Sequence, residues 1–281
     1  MAHATGDAPE RPLLRLTPHS AGAGARLREV WAYRELLLFL TWRDVRVRYK
    51  QTALGAAWAL LQPLLTMLVF SVFFGALARV PSDGLPYPVF AYCGLLPWQL
   101  FAFALTASAQ SLTANERLVT KVYFPRLVLP LSAVLAGLVD FAVACALLAP
   151  LMWFYGVRPG TALLALPLFV LLAVAAAVAV GLGLGALNVR FRDVRHALPF
   201  VTQFWLFVTP IAYPASLVPE RFRPLLGLNP MAGVVEGFRW ALLDGPAPGA
   251  LLPVSVAVTL LALALGLAYF LRVERSFADV I

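Results

Sequence analysis

The sequence predicts an all-α polytopic membrane protein with six transmembrane helices, an N-terminal amphipathic interface helix and re-entrant external helices before the last crossing. Three observations lead there. Hydrophobic residues make up 61% of the 281-residue chain and charged residues 13%, where soluble domains average about half apolar and one quarter charged. Five stretches, 54–78, 88–112, 127–154, 162–187 and 250–271, each reach the roughly 20 apolar residues that a helix needs to cross a hydrocarbon core. A sixth, shorter stretch, LPFVTQFWLFVTPIAY at 198–213, brackets its apolar part with Pro199 and Pro210.

Taken in chain order, residues 1–30 are rich in Ala, Gly and Pro with scattered charge and lack the apolar core of a cleavable signal peptide. They read as a flexible cytoplasmic tail. Residues 34–50 read as a helix on which Leu38, Trp42, Val45 and Tyr49 share a face, with Arg43, Arg46 and Lys50 in a stripe beside it. Such a helix lies in the headgroup plane, aromatics toward the acyl chains and cations toward lipid phosphates. Two readings fit: an anchor that also sets topology, or a stripe, with Arg48, that receives the phosphate of a lipid-linked substrate.

Between the second and third crossings lies ANERLVTKVYFPRLVLP, 114–130. Asn115 is placed to cap a short helix with Glu116 in its first turn, and Pro125 and Pro130 mark the return into the membrane. This loop is either a helix docking into a partner or a solvated turn whose Arg117, Lys121 and Arg126 enforce topology. NVRFRDVRH, 188–196, admits the same two readings, and its His196 reads as a surface residue. Asp140 is the one carboxylate deep inside an expected span, and intramembrane acids are functional candidates by default. With no second acid or intramembrane base predicted beside it, a structural hydrogen bond is the expected role. GLGLG at 181–185 puts Gly181 and Gly185 on one helix face, suited to close packing. After the sixth stretch, residues 214–249 read as two short helices. The first begins near Pro219 and ends at Gly227; the second is capped by Asn229 with Pro230 at its first position and carries Glu236 and Arg239 one turn apart. A hairpin of this kind either dips back into the membrane, where protein or water covers its backbone, or forms an external lid.

Orientation follows from the loops. With the N-terminus inside, 17 of the 22 Lys and Arg fall in inside segments and 5 in outside ones, so both termini are expected in the cytoplasm. The whole chain, 1–281, reads as a single transmembrane domain. A net charge of +8 does not indicate nucleic acid, because the basic residues sit between apolar runs rather than on one face of a soluble module. Cys93 and Cys145 lie in apolar segments with no metal-ligand spacing, so no metal site is expected. A phosphate-binding GxxxxGK[ST] loop is absent from the sequence. So are the clustered acids that would hold magnesium for glycosyl transfer.

Five stretches together, RDVRVRYKQTALGAAWALLQPL, CGLLPWQLFAFAL, KVYFPRLVLPLSAVL, NVRFRDVRHALPFVTQFWLFVTPIAYP and LNPMAGVVEGFRWALLDG, resemble the membrane (permease) subunit of type-2 ABC exporters of bacterial surface polysaccharides. The resemblance runs from about residue 31 to 275, in order, and is nearest to the O-antigen type among exporters of O-antigen, capsule and teichoic acid. It implies a non-catalytic homodimeric permease of the bacterial inner membrane, with no cofactor of its own. Two nucleotide-binding subunits would carry ATP and magnesium, and the cargo would be an undecaprenyl-diphosphate-linked polysaccharide. It makes 34–50 the gate helix, with Arg43, Arg46, Arg48 and Lys50 where the lipid-phosphate head passes. It makes 114–126 the coupling helix, with Asn115, Glu116, Arg117 and Lys121 toward the ATPase. It makes 215–245 the external gate, with Glu236 and Arg239. Trp42, Trp98, Phe101, Phe204, Trp205 and Tyr213 become candidates for an aromatic sugar path, although aromatics gather at membrane interfaces in any case. Rival readings are an ABC exporter of a drug or lipid, which would lack the basic gate helix, a membrane-embedded glycosyl or phosphosugar transferase, which would need acids at the mouth, and a structural scaffold.

Overall fold

An apolar stretch with no water to satisfy its peptide groups closes its hydrogen bonds within one helix, and this chain does so repeatedly. A computed structural model describes residues 23–50 and 57–277, and among these every regular element is helical. Helix α1 (Ala23–Ala32) is followed by α2 (Arg34–Lys50) and α3 (Trp58–Phe70), which continues through a π-helical turn, Ser71–Leu77. Then come α4 (Tyr87–Ala114), α5 (Glu116–Lys121), α6 (Val128–Phe154), α7 (Leu166–Arg190) and α8 (Asp193–Val208). Short α9 (Arg223–Leu226), α10 (Pro230–Leu243) and α11 (Leu251–Val273) complete the chain. Five helical segments are long and apolar enough to cross a membrane: Trp58–Leu77, Tyr87–Ala114, Val128–Phe154, Thr161–Arg190 and Leu251–Ser276.

Helix α4 is the hub, packing against α6, α7, α10 and α3. Its close approach to α7 depends on the glycines of GLGLG: a Cβ on Gly181 would lie 2.7 Å from Ser108 Oγ, and one on Gly185 would lie 3.4 Å from the Ser108 carbonyl. In contrast, α3 leaves Leu65, Leu68, Val69 and Phe73 exposed.

Hydrogen bonds fix which helix ends lie together. Glu274, just after α11, accepts from the Arg126 amide at 3.3 Å and lies 4.0 Å from Arg26 of α1, so both described chain ends sit with the α5–α6 loop. At the opposite end, the Tyr87 hydroxyl at the start of α4 donates to the Ala212 carbonyl at 2.8 Å. Helix α8 leaves the first end, where α7 stops, and its C-terminus reaches the second. Its 16 residues span about 24 Å, less than the roughly 30 Å hydrocarbon core, and the chain continues from Thr209 as a bent, non-helical segment.

Two expectations change. Residues 23–30 are not a flexible tail but the first turns of α1, held by buried Val30 and by the Arg26–Glu29 pair at 3.2 Å; residues 1–22 lie outside the described residues. The sixth stretch starts at Asp193, not 198, because a carboxylate in the first turn of α8 suits a helix N-terminus and Pro199 is absorbed inside the helix. Gly227 ends the first short helix as expected, in the right-handed conformation, where crowding requires a glycine: a Cβ would meet Val254 at 2.7 Å.

Candidate functional site

Asp140 is not alone. It stands at the middle of α6, where Arg48 of α2 donates a charge-assisted hydrogen bond to its Oδ2 and the Tyr49 hydroxyl donates to its Oδ1. The same guanidinium stacks 4.1 Å from the centroid of the Phe103 ring. The intramembrane base that sequence reasoning did not place beside Asp140 thus comes from the helix before the first span. Charge balance was the available signal, since an acid within a membrane span pairs with another polar or charged group.

This contact reorients α2. Thr41 lies 3.5 Å from the Ser132 carbonyl and Arg48 meets Asp140 eight residues further along α6, so α2 advances beside α6 in the same direction. It does not lie flat in a headgroup plane. Leu38 and Trp42, expected toward the acyl chains, are exposed on the outside of the protein, whereas Leu40 is buried and Leu37 packs on the core. Val45, expected on that exposed face, is buried.

Two cavities adjoin the triad. The larger, about 720 Å³, is lined by Trp58, Gln62, Trp98, Gln99, Gln203 and Asp140 among others. The smaller, about 530 Å³, is lined by Arg43, Asp44, Gln110, Ser111 and Asn115. Arg48 and Phe103 line both. Amide and hydroxyl groups beside indole faces suit a ligand with hydroxyls and apolar ring faces, and the guanidinium between the cavities suits an anion.

The four expected cations separate into two sets. Arg43 donates to Asp44 at 2.8 Å and to Asn115 Oδ1 at 2.9 Å, and Arg48 is engaged by Asp140. Arg46 and Lys50 are exposed. Asn115 therefore does not cap α5 through its side chain, as expected. Its oxygen receives Arg43 and its amide donates to the Ser111 carbonyl at 2.8 Å, which ties the start of α5 to α2. Glu116, Arg117, Lys121, Val122 and Tyr123 are exposed around buried Val119 and Phe124, leaving a charged and aromatic surface at that end.

The six aromatics do not line one path in this structure. Trp98, Phe101 and Trp205 form a packed ladder with ring centroids 5.4 and 5.0 Å apart, and Phe101 is fully buried. Trp205 further donates to Asn229 at 2.9 Å. Trp98 alone of the six lines the larger cavity, while Trp42 and Phe204 are exposed on the surface and Tyr213 is half-buried. Apolar contact outcompetes a shared lining because α4 and α8 meet along these rings.

Glu236 and Arg239 likewise differ from a solvent-facing gate. Both are buried, 2.7 Å apart. Arg239 donates to the carbonyls of Pro210 at 2.7 Å and Ile211 at 2.8 Å, with its guanidinium 3.6 Å from the Phe90 ring centroid. Glu236 accepts from the Ala215 amide at 3.3 Å. The pair clamps the non-helical segment after α8, whose carbonyls have no helical partner. The expected cap on α10 is present, with Asn229 Oδ1 accepting from the Met231 amide at 3.0 Å.

Among the described residues no three His, Cys, Asp or Glu side chains gather to hold a metal. The arrangement is thus one of polar and aromatic cavities, a cation at their junction and an exposed charged and aromatic surface at one end. Known proteins resemble it in sequence. The family model described as ABC-2 type transporter matches residues 35–243. The O-antigen export system permease protein RfbA of Myxococcus xanthus is 33% identical over 228 residues, 80% of this chain and 86% of the relative. A protein of the same name from Klebsiella pneumoniae is 28% identical over 248 residues, 88% and 95%. The polysialic acid transport protein KpsM of Escherichia coli is 28% identical over 245 residues, 85% and 93%. The family match runs from the second residue of α2 to the end of α10 and so takes in the triad, both cavities, α5 and the buried clamp; the chain belongs to the ABC-2 type transporter family of membrane proteins.

Proposed function

We propose that this chain is the membrane half of an ATP-driven exporter of a lipid-linked polysaccharide of the O-antigen kind. Two copies form the channel in the bacterial inner membrane, with both termini in the cytoplasm, and two separate subunits bind and hydrolyse ATP with magnesium. Six crossings, with α8 and its bent extension as the fifth, agree with the joined chain ends and with the excess of Lys and Arg on that side. The observation that carries the reading is the junction of α2, α4 and α6. Cationic side chains lead from the exposed surface at Arg46 and Lys50 to Arg48, beside a cavity bearing three glutamine amides and two indoles. A diphosphate head suits the first and sugar rings the second.

Helix α5 is the coupling element in this reading, since its exposed residues face away from the core and Asn115 links it to α2 through Arg43. Movement of a docked ATPase would then pull on the helix that carries Arg48. The 210–215 segment with α10 closes the far end and keeps ions out between steps. The likeness to a polysialic acid transport protein favours a capsular polymer as the second reading.

The test is ATPase activity of the chain reconstituted with the ATPase encoded beside it, with and without an undecaprenyl-diphosphate glycan. Stimulation that is lost in an Arg46→Ala, Lys50→Ala double variant supports the reading. Stimulation by a small amphipathic drug and none by the glycan overturns it.

A further inference from the structure

Arg48 gives one N–H of its guanidinium to Asp140, so an anionic ligand competes with that carboxylate for the cation. The carboxylate accepts from both Arg48 and Tyr49, the guanidinium lies over the Phe103 ring, and Arg48 and Phe103 stand on the wall shared by the two cavities while Tyr49 and Asp140 line the larger one. We propose that Asp140 is a positioning residue that sets ligand specificity: it holds Arg48 between the cavities and competes for its guanidinium, so a ligand gains the full set of donors only by bringing an anionic group that displaces the carboxylate. A phosphate or diphosphate ester qualifies, because it offers several acceptor oxygens and bidentate geometry to arginine. A neutral polyprenol or sugar does not. Tyr49 keeps the released carboxylate hydrogen-bonded, so the exchange does not strand a buried charge without a partner. The exchange swaps one ion pair for another, with no covalent step.

The location of the ligand rests on the exporter reading, but the test is a binding measurement that does not require transport. Binding of radiolabelled undecaprenyl diphosphate and of undecaprenol is measured on the complete transporter in lipid nanodiscs. The wild type is expected to bind the diphosphate at least tenfold more tightly than the alcohol. Asp140→Asn removes the competitor and is expected to tighten diphosphate binding roughly tenfold, as follows from losing one charge-assisted bond to Arg48, with the number of sites unchanged. Asp140→Glu should stay within about twofold of wild type, and Arg48→Gln should abolish the preference for the diphosphate. A residue with only a structural role would lose sites on mutation and would not tighten binding. Should Asp140→Asn not assemble, the double variant Arg48→Gln, Asp140→Asn leaves no charge to strand and should bind diphosphate and alcohol alike.

Unchanged or weakened diphosphate binding in Asp140→Asn overturns the proposal. So does equal binding of the two lipids by the wild type, binding of neither, or discrimination that survives in the double variant. ATP-driven transfer of polymer is read in a separate assay, so a failed specificity latch and a failed exporter reading give different results.

Discussion

Replacing Arg239 with Met should destabilise the protein more than any other single change considered, and the structure sets the size. Arg239 is 3% exposed and Glu236 6%. Removing the cation strands a buried carboxylate, which costs about 3–5 kcal/mol. It also leaves the carbonyls of Pro210 and Ile211 without their donors, at about 1–3 kcal/mol each. Contributions at one site are not additive, so a net loss on the order of 5 kcal/mol is expected, or a fall in Tm of roughly 10–20 °C for a chain of this size. The assay is thermal unfolding of the purified protein in detergent or nanodiscs. The double variant Glu236→Gln, Arg239→Met should recover the charge contribution, about half the loss, and leave the carbonyl contribution. A Tm within about 3 °C of wild type for Arg239→Met, or a double variant no more stable than the single one, would refute the view that this pair clamps the segment after α8.

Other expectations concern separate parts of the molecule. Gly181→Val forces a side chain into Ser108 and should cost about 1–3 kcal/mol by overpacking, seen as a lower Tm, whereas the same change at exposed Gly24, with open space around it, should not lower it by the same route. Arg117→Glu with Lys121→Glu reverses two exposed charges on α5; Tm should stay within about 2 °C, while co-purification with the ATPase subunit weakens at least tenfold and more so at low salt. Arg43→Ala removes the bond to Asn115; ATP hydrolysis by the assembled transporter should persist while polymer export falls several-fold, and equal losses in both would argue against a mechanical link between α5 and α2.

The helices were legible because long uncharged runs leave little choice in an apolar solvent: the spans expected at 88–112 and 127–154 are Tyr87–Ala114 and Val128–Phe154. The Asn229–Pro230 start of α10 was legible for the same local reason, a side-chain oxygen followed by a residue without an amide hydrogen. Rotation of helices about their axes was not. Periodicity put Leu38 and Trp42 together with Val45, but it cannot say which apolar face meets lipid and which meets protein, and here a polar contact between Arg48 and Asp140, 92 residues apart, decides it. The pairing of Glu236 with Arg239 was readable from their spacing, but their burial was not, because it depends on α10 being enclosed by α4, α7 and α11. The aromatic residues shared a sequence signal with both lipid anchoring and sugar stacking, and only their packing separated Phe101, in the core, from Trp98, at a cavity wall.

The most direct test of the central claim is transfer of a lipid-linked polymer across a membrane by the purified parts. Inside-out proteoliposomes holding this chain and its ATPase subunit would be supplied with an undecaprenyl-diphosphate-linked O-polysaccharide on the outer face, and protection of the polymer from an added glycosidase would be followed with time. ATP-dependent protection that disappears when the ATPase subunit is omitted, or when a non-hydrolysable ATP analogue replaces ATP, is the predicted result. Polymer that stays fully digestible in a complex that hydrolyses ATP, or protection that needs no ATPase subunit, would contradict the account.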